Sequence, residues 1–306
     1  MGLYPTKLDE FVAQMGIPRG PLSKAYLVDA VNGSDSNHGR SWSAPLKTVQ
    51  AAETLCVGDR HDVVLLLAGD TQDTVAVTIT WDKDHTHLIG LSAPFPGIGQ
   101  RARIGSSVAA PALTISAKGC IFKNFQVQNS YAGASGGVLV SGPYNYFENV
   151  YFNGMNNASS ANKSTSYCLS VTGAENYFKN CTIGSVQLAM SSTNAPLLIS
   201  NGANTFEGCR IQHYSETAGN FLVRLPAGTG GLSLVLFDDC IFFNQTVNWA
   251  SGSTDVFNIA QTGSHYVLLK ACIMVGATSW ADVVTHVYHD KAAPATGGGI
   301  AIAVNA

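Results

Sequence analysis

The sequence predicts an all-β fold, a solenoid of stacked coils closed at its N-terminal end by a short helix. Three observations predict it. First, the stretch Asn176-Tyr177-Phe178-Lys179-Asn180-Cys181-Thr182-Ile183 recurs in looser copies anchored at Phe122, Phe147, Phe206, Phe237 and Leu269. The anchors step by 25, 31, 28, 31 and 32 residues. Such a period marks a repeat whose coils bury their apolar faces only against one another. Second, each copy alternates apolar and polar positions, as a strand with one buried face requires. Third, only 12% of the 306 residues are charged and 31 are Gly. That composition suits short strands joined by tight turns, since globular chains carry roughly 25% charge.

Residues 1–25 read as a leader. Leu8, Phe11, Val12 and Met15 share one face of a helix, which Gly16, Pro18, Gly20 and Pro21 terminate. Residues 26–62 read as the cap of the solenoid. A strand from Ala25 runs into the turn-forming cluster Asn32-Gly33-Ser34-Asp35, and Val49, Ala52 and Leu55 then form the apolar face of a helix over residues 48–55. Residues 63–290 hold the coils, beginning with the buried strand Val63–Gly69 and continuing through Leu88–Leu91 and Ala112–Ser116. Further strands are expected at 138–140, 169–171, 197–199 and 232–234, each ahead of one later repeat. Each coil then has three short strands, two tight turns and one long loop. The loops Gln128–Gly137, Asn153–Ser166, Ser185–Pro196 and His213–Gly231 are expected to project from one edge. Residues 291–306 form a tail whose Gly297-Gly298-Gly299 leads into the alternating Ile300-Ala301-Ile302-Ala303-Val304, a candidate strand for a neighbour's sheet edge.

The run Tyr26…Asn32-Gly33-Ser34-Asp35…Gly39…Pro45-Leu46-Lys47-Thr48-Val49-Gln50-Ala51-Ala52…Gly58-Asp59…Leu67-Ala68-Gly69-Asp70 resembles the opening of right-handed parallel β-helix proteins of the pectin-lyase-like superfamily. Bacteriophage virion proteins include such folds. The resemblance covers residues from about 25 to 280 and implies a strand and a helix capping the first coil. A cap answers a physical need, because an open solenoid end exposes core and unpaired strand edges.

Position by position, the repeat describes a scaffold. The Phe column points inward, and Lys123, Glu148, Lys179, Glu207, Asp238 and Lys270 point outward in a column of mixed sign. Asn124, Asn149, Asn180, Gly208 and Asp239 mark a turn that needs a left-handed backbone, and Ala271 departs from that pattern. Asn145, Asn176 and Asn204 are expected to bond to one another and to turn carbonyls. Cys181, Cys209, Cys240 and Cys272 fill one core position of successive coils and read as small buried hydrophobes, neither disulfides nor zinc ligands.

Candidates for chemistry are few. Carbohydrate hydrolysis needs two carboxylates across a groove. Asp238 and Asp239 are the adjacent acidic pair of the repeats, although neighbours on a strand face opposite ways. Glu216 is the third catalytic candidate, in the cluster His213-Tyr214-Ser215-Glu216 with Arg224, where His213, Tyr214 and Arg224 are candidates for binding sugar. Asp29 and Asp35, with Asn37, are candidates for a cation, against the alternative of an Asx-rich turn. His286, His289 and Asp290 form a weaker metal candidate, and Tyr131, Tyr151, Tyr214 and Trp249 are candidate stacking surfaces for a glycan. No phosphate loop or dinucleotide fingerprint occurs, and no cofactor is expected.

A net charge of −3 gives no reason to expect nucleic acid as a partner, and no apolar run of 18 residues spans a membrane. Acidic residues stand where a signal peptide needs its apolar core. The expectation is a non-catalytic structural protein of a phage particle, a head decoration or tail-associated β-helix assembled in the host cytoplasm. It would be a homo-oligomer, as a trimer, contacting other virion proteins through residues 1–25 or the tail and adhering to a surface polysaccharide. The alternative is a polysaccharide lyase or hydrolase, or a tailspike depolymerase.

Overall fold

The computed structural model describes residues 7–69, 73–93, 102–133, 136–190, 194–216, 219–226, 233–246, 255–259, 265–281 and 286–290. Trp249 and the tail 291–306 lie outside these residues. The strands form three parallel sheets of ten, eight and eight strands, in which consecutive members belong to consecutive coils. This is an all-β, right-handed parallel β-helix, a closed prism with one sheet on each side. Sheet A runs from Ala25–Val28 through Val63–Leu67, His87–Leu91, Ile121–Lys123, Tyr146–Glu148, Tyr177–Lys179, Asn204–Glu207, Ser233–Asp238 and His265–Lys270 to Val287–His289. Sheet B holds Arg103–Ser106, Gln126–Asn129, Tyr151–Asn153, Thr182–Ile183, Arg210–Ser215, Ile241–Thr246 and Ile273–Val275. Its first strand is Asp73–Val75. Sheet C holds Ile79–Trp81, Leu113–Ile115, Gly136–Val140, Tyr167–Val171, Leu197–Ile199, Phe221–Leu225, Asp255–Ile259 and Ser279–Ala281.

The Phe column is the axis of the core. Phe122, Phe147, Phe178, Phe206, Phe237 and Leu269 are fully buried and in register across sheet A. Successive rings stack with centroids 4.9, 4.6, 4.6 and 4.9 Å apart. That distance is the strand spacing itself, so identical side chains gain ring contact simply by being in register. Val127, Phe152, Ile183, Ile211, Phe242 and Met274 from sheet B complete the same core, with Val138, Leu169, Leu197, Val223 and Phe257 from sheet C.

The turn column between sheets A and B takes positive φ throughout: Asn124 59°, Asn149 53°, Asn180 50°, Gly208 60°, Asp239 52° and Ala271 51°. Ala271 therefore makes the same turn without a favourable residue. The Asn ladder corrects one expectation. Its amides do not bond to each other. Each oxygen accepts the backbone N–H one coil nearer the N-terminus, Asn145 from Cys120, Asn176 from Asn145 and Asn204 from Asn176, all at 2.9 Å. The amide nitrogens donate to turn carbonyls such as Ala117 at 2.9 Å and Gly173 at 3.0 Å. The reason is geometric, since an inward Asn at a turn meets the unpaired N–H of its neighbour before it meets another amide. All seven cysteines are free and buried, and burial pushes the Cys120 and Cys168 thiols up to about 11.

Two helices serve the N-terminal end. The helix Val49–Leu55 is capped by Thr48, whose hydroxyl accepts from Ala51 N, and it buries Val49 and Ala52. Leu55, expected on that face, is exposed instead, because a helix this short turns its last residue past the core. The helix Lys7–Ala13 lies on the outer face of sheet A, where Leu8, Val12 and Ile17 pack with Ala25, Leu27, Val63, Leu65 and Ile89. Buried Asp9 locks it there through Arg19 at 3.1 Å, Arg40 at 2.7 Å and the Ala25 amide at 2.9 Å. The leader thus docks on its own chain.

Candidate functional site

Asp238 and Asp239 do not converge on a groove. Asp238 belongs to the outward column and pairs with Lys270 at 2.7 Å, as Glu148 pairs with Lys123 at 2.7 Å and Glu207 with Lys179 at 2.8 Å. Glu207 also accepts from the Tyr177 hydroxyl; these contacts hold its carboxyl below the usual range, Lys179 contributing most. Asp239 sits in the left-handed turn, where its backbone N–H donates to Lys270 O at 2.9 Å.

The first three loops each lead from a sheet B strand to a sheet C strand, so they leave the same edge, although both ends of the first lie within strands; the fourth is divided by a strand. His213, Tyr214 and Ser215 belong to the strand Arg210–Ser215, and Arg224 belongs to the strand Phe221–Leu225. The polar surroundings of Phe-Leu-Val-Arg-Leu hid a sheet C strand, and Ser233 and Leu234, expected in a strand ahead of the repeat, begin the sheet A strand Ser233–Asp238 itself. His213 is fully buried, and neither ring nitrogen has a hydrogen-bond partner among the described residues. Burial lowers its pKa to about 4. Arg224 lies on the outer face of sheet C between Leu198 and Asn258. Exposed Glu216 donates its backbone N–H to Met190 O at 2.8 Å. Thus buried His213 cannot share a sugar-facing surface with Arg224.

The two aspartates proposed for a cation are filled by donors of the cap, Asp35 by the segment that starts its helix and Asp29 by its own turn. Asp35 accepts from Lys47 N and Thr48 N at 2.9 Å each and from the Thr48 hydroxyl at 3.0 Å. Asp29 accepts from Val31 N at 2.9 Å, Asn32 N at 3.1 Å and Asn32 Nδ2 at 3.1 Å. Among the described residues, no group of three or more His, Cys, Asp or Glu side chains is arranged to hold a metal ion. His289 instead pairs with Asp290 at 3.2 Å. Of the candidate glycan platforms, Tyr151 is fully buried.

One cluster escaped the sequence reading. Asp59 and His61 stack on His85 and His87 one coil later, each 26 residues on. His85 Nδ1 lies 2.7 Å from Asp59 Oδ1, and the His61 ring lies 5.5 Å from His85 and 5.4 Å from His87. Asp59, His61 and His85 all have positive φ, at 59°, 58° and 53°. Local geometry assigns the protons. His87 Nδ1 accepts the Ile121 amide at 3.1 Å, so its ring hydrogen is on Nε2 and is donated to His61 Nδ1 at 3.2 Å. A metal would need the Nε2 lone pair that this proton occupies. The cluster is two hydrogen-bonded pairs in ring contact, and burial, then the neighbouring His61 and His85, lower the His87 pKa to about 3. The repeated spacing Asp59-x-His61 and His85-x-His87 was its only sequence signal.

No protein-family model matches the sequence, and no curated protein does. Solved structures do match. The chain is similar to a pectin methylesterase from carrot, with a TM-score of 0.58, 12% identity and coverage of 90% of this chain and 91% of that one. It is also similar to the pectate lyase Pel9A, with a TM-score of 0.53, 16% identity and coverage of 88% and 80%. A third structure is ORF18 of Geobacillus virus E2, with a TM-score of 0.52 and 13% identity. This match covers 89% of the chain but only 51% of the viral protein. These likenesses show the parallel β-helix fold.

Proposed function

We propose that the chain is a non-catalytic structural protein of a bacteriophage particle, a head decoration or tail-associated β-helix with adhesion to a surface glycan. One observation carries this reading: the acidic side chains of the repeat are spent on joining coils. Glu148, Glu207 and Asp238 each hold a lysine of a neighbouring coil, and Asp239 makes a turn. The viral ORF18 structure supports the reading at the level of fold. The particle would be assembled in the host cytoplasm, with the chain as a homotrimer. If residues 1–25 meet a virion partner, the large apolar side chains left open among the described leader residues are Phe11, set edge-on to Trp42 at 5.6 Å, and Leu22. Peptide mapping of purified particles, with gold-labelled antibody to locate the chain, tests the proposal. A chain abundant in infected cells and absent from purified particles overturns it.

The pectin methylesterase and pectate lyase structures favour a second reading, a polysaccharide-degrading enzyme or depolymerase. It requires release of reducing or unsaturated ends from a polysaccharide panel, with loss in Asp238→Ala or Glu216→Ala. Retention on a glycan array without turnover supports adhesion alone.

A further inference from the structure

The outer face of sheet A carries aliphatic side chains at its two ends, with tyrosines and a threonine between them. At the N-terminal end they are Leu27, Val63, Leu65 and Ile89, all buried beneath the leader's Leu8, Val12 and Ile17. In the middle coils the outer positions are Tyr146, Tyr177 and Thr205 beside the lysine–glutamate column. Apolar residues then return. Leu236, Leu268 and Tyr288 stand in register on three successive strands, and Leu234 stands beside Tyr266. Around the A–B corner, Ile241 stands beside Ile273. Five of these are open to solvent: Leu234 49%, Ile241 43%, Leu268 38%, Ile273 48% and Tyr288 43%. The strands beneath are also longer, six residues at Ser233–Asp238 and His265–Lys270 against three at Tyr146–Glu148 and Tyr177–Lys179. Contiguous exposed apolar surface of this kind marks a contact site.

We propose that the chain's own tail, through Ile300, Ile302 and Val304, covers this C-terminal face of the solenoid, as the leader covers the N-terminal one. Three features select that occupant. The tail begins directly after Val287–His289, the last strand of sheet A, so it starts beside the patch. Nine residues lie between Asp290 and Ile300, ten chain steps with an extended reach of about 33–36 Å, whereas three strand spacings are only about 14 Å. Gly297, Gly298 and Gly299 permit the reversal this needs, and Lys291 is the tail's sole charged side chain. Alternation then brings Ile300, Ile302 and Val304 to one side. A tethered segment also meets the patch at a high effective concentration, which favours it over a second copy.

Paired cysteines test the proposal in the full chain. Ile302→Cys is combined in turn with Leu236→Cys and Leu268→Cys, with Thr80→Cys on the exposed face of sheet C as control. Mixed light and 15N-labelled chains are oxidised mildly and digested. The native cysteines are buried and do not compete. The expected result is a disulfide at one of the two patch positions, joining light to light and heavy to heavy, with several-fold lower yield in the control. No link above control overturns the proposal, and light–heavy links overturn it in favour of a second copy. Ile300→Asp with Ile302→Asp gives an independent readout: hydrogen exchange over residues 265–270 and binding of an apolar dye should each rise several-fold. Unchanged exchange and dye binding overturn the proposal.

Discussion

His87 makes a quantitative test of the N-terminal coils. It is fully buried, it accepts the Ile121 amide on Nδ1, and its pKa falls from 6.5 to about 3, chiefly through burial. A base whose pKa is lowered by folding stabilises the native state only while it stays neutral. Its stabilising contribution is complete above 6.5, falls as pH drops below 6.5, and stops falling below about 3. Each pH unit in that window costs about 1.4 kcal/mol, so moving from pH 7 to pH 4.5 removes roughly 2.5–3 kcal/mol through this one side chain. His87→Asn keeps an acceptor near the position of Nδ1 and removes the titration. Chemical unfolding at pH 7 and pH 4.5 compares the two proteins. The variant loses the bond to His61 and is weaker at pH 7, but its stability should drop by roughly 2.5–3 kcal/mol less on acidification. Equal losses in both proteins would refute the assignment of His87 as a buried neutral base.

Three further outcomes follow from the columns. His213→Leu removes two buried ring nitrogens that lack partners among the described residues, and should raise stability by roughly 1–2 kcal/mol at pH 7, read from the unfolding midpoint. Its advantage should grow toward pH 4.5, because burial lowers the pKa of His213 to about 4. Asn176→Ala orphans the buried Asn145 N–H and should cost roughly 2–3 kcal/mol, with faster hydrogen exchange confined to the neighbouring coils. Ala271→Gly relieves a left-handed alanine, with φ 51°, at the cost of a freer unfolded chain, and should raise stability by about 0.5–1 kcal/mol.

The parts of the fold that were legible in the sequence are those written in columns. A parallel solenoid places residues one coil apart in register, so periodicity reports the third dimension directly. The inward Phe, the outward charge, the left-handed turn and the buried Cys could all be read that way. What was lost lay where period or composition broke. Phe221–Leu225 was hidden between polar loops, and the histidine cluster lies in coils that precede the clear repeat. Ala271 shows the limit from the other side: register imposes φ 51° on a residue whose identity argues against it. Candidate chemistry was less legible still, because polar residues that look reactive in sequence were recruited by neighbouring coils. Asp35 fills its carboxylate with backbone amides, and Asp238 fills its own with Lys270.

The same register sets where a ligand or partner must bind. Along the three sheets each outer residue is flanked by its equivalents one strand spacing above and below, so ring faces and charges are satisfied along the axis. Tyr146 and Tyr177 illustrate it: their rings stack at 5.8 Å, which hides the faces a sugar would need. Axial stacking therefore consumes recognition capacity on the sheet faces and leaves it where register fails, at the B–C loop edge and the two ends. At the N-terminal end that capacity is already spent on the leader, whose Asp9 is held by two arginines and a backbone amide. The proposed adhesion to a glycan is therefore expected to map to the loop edge. Substitutions at Tyr131 and Tyr214, at or beside that edge, should weaken retention on an array, whereas Tyr146→Ala should leave it unchanged. Loss of binding in Tyr146→Ala with folding intact would show that the sheet face, not the loop edge, carries recognition.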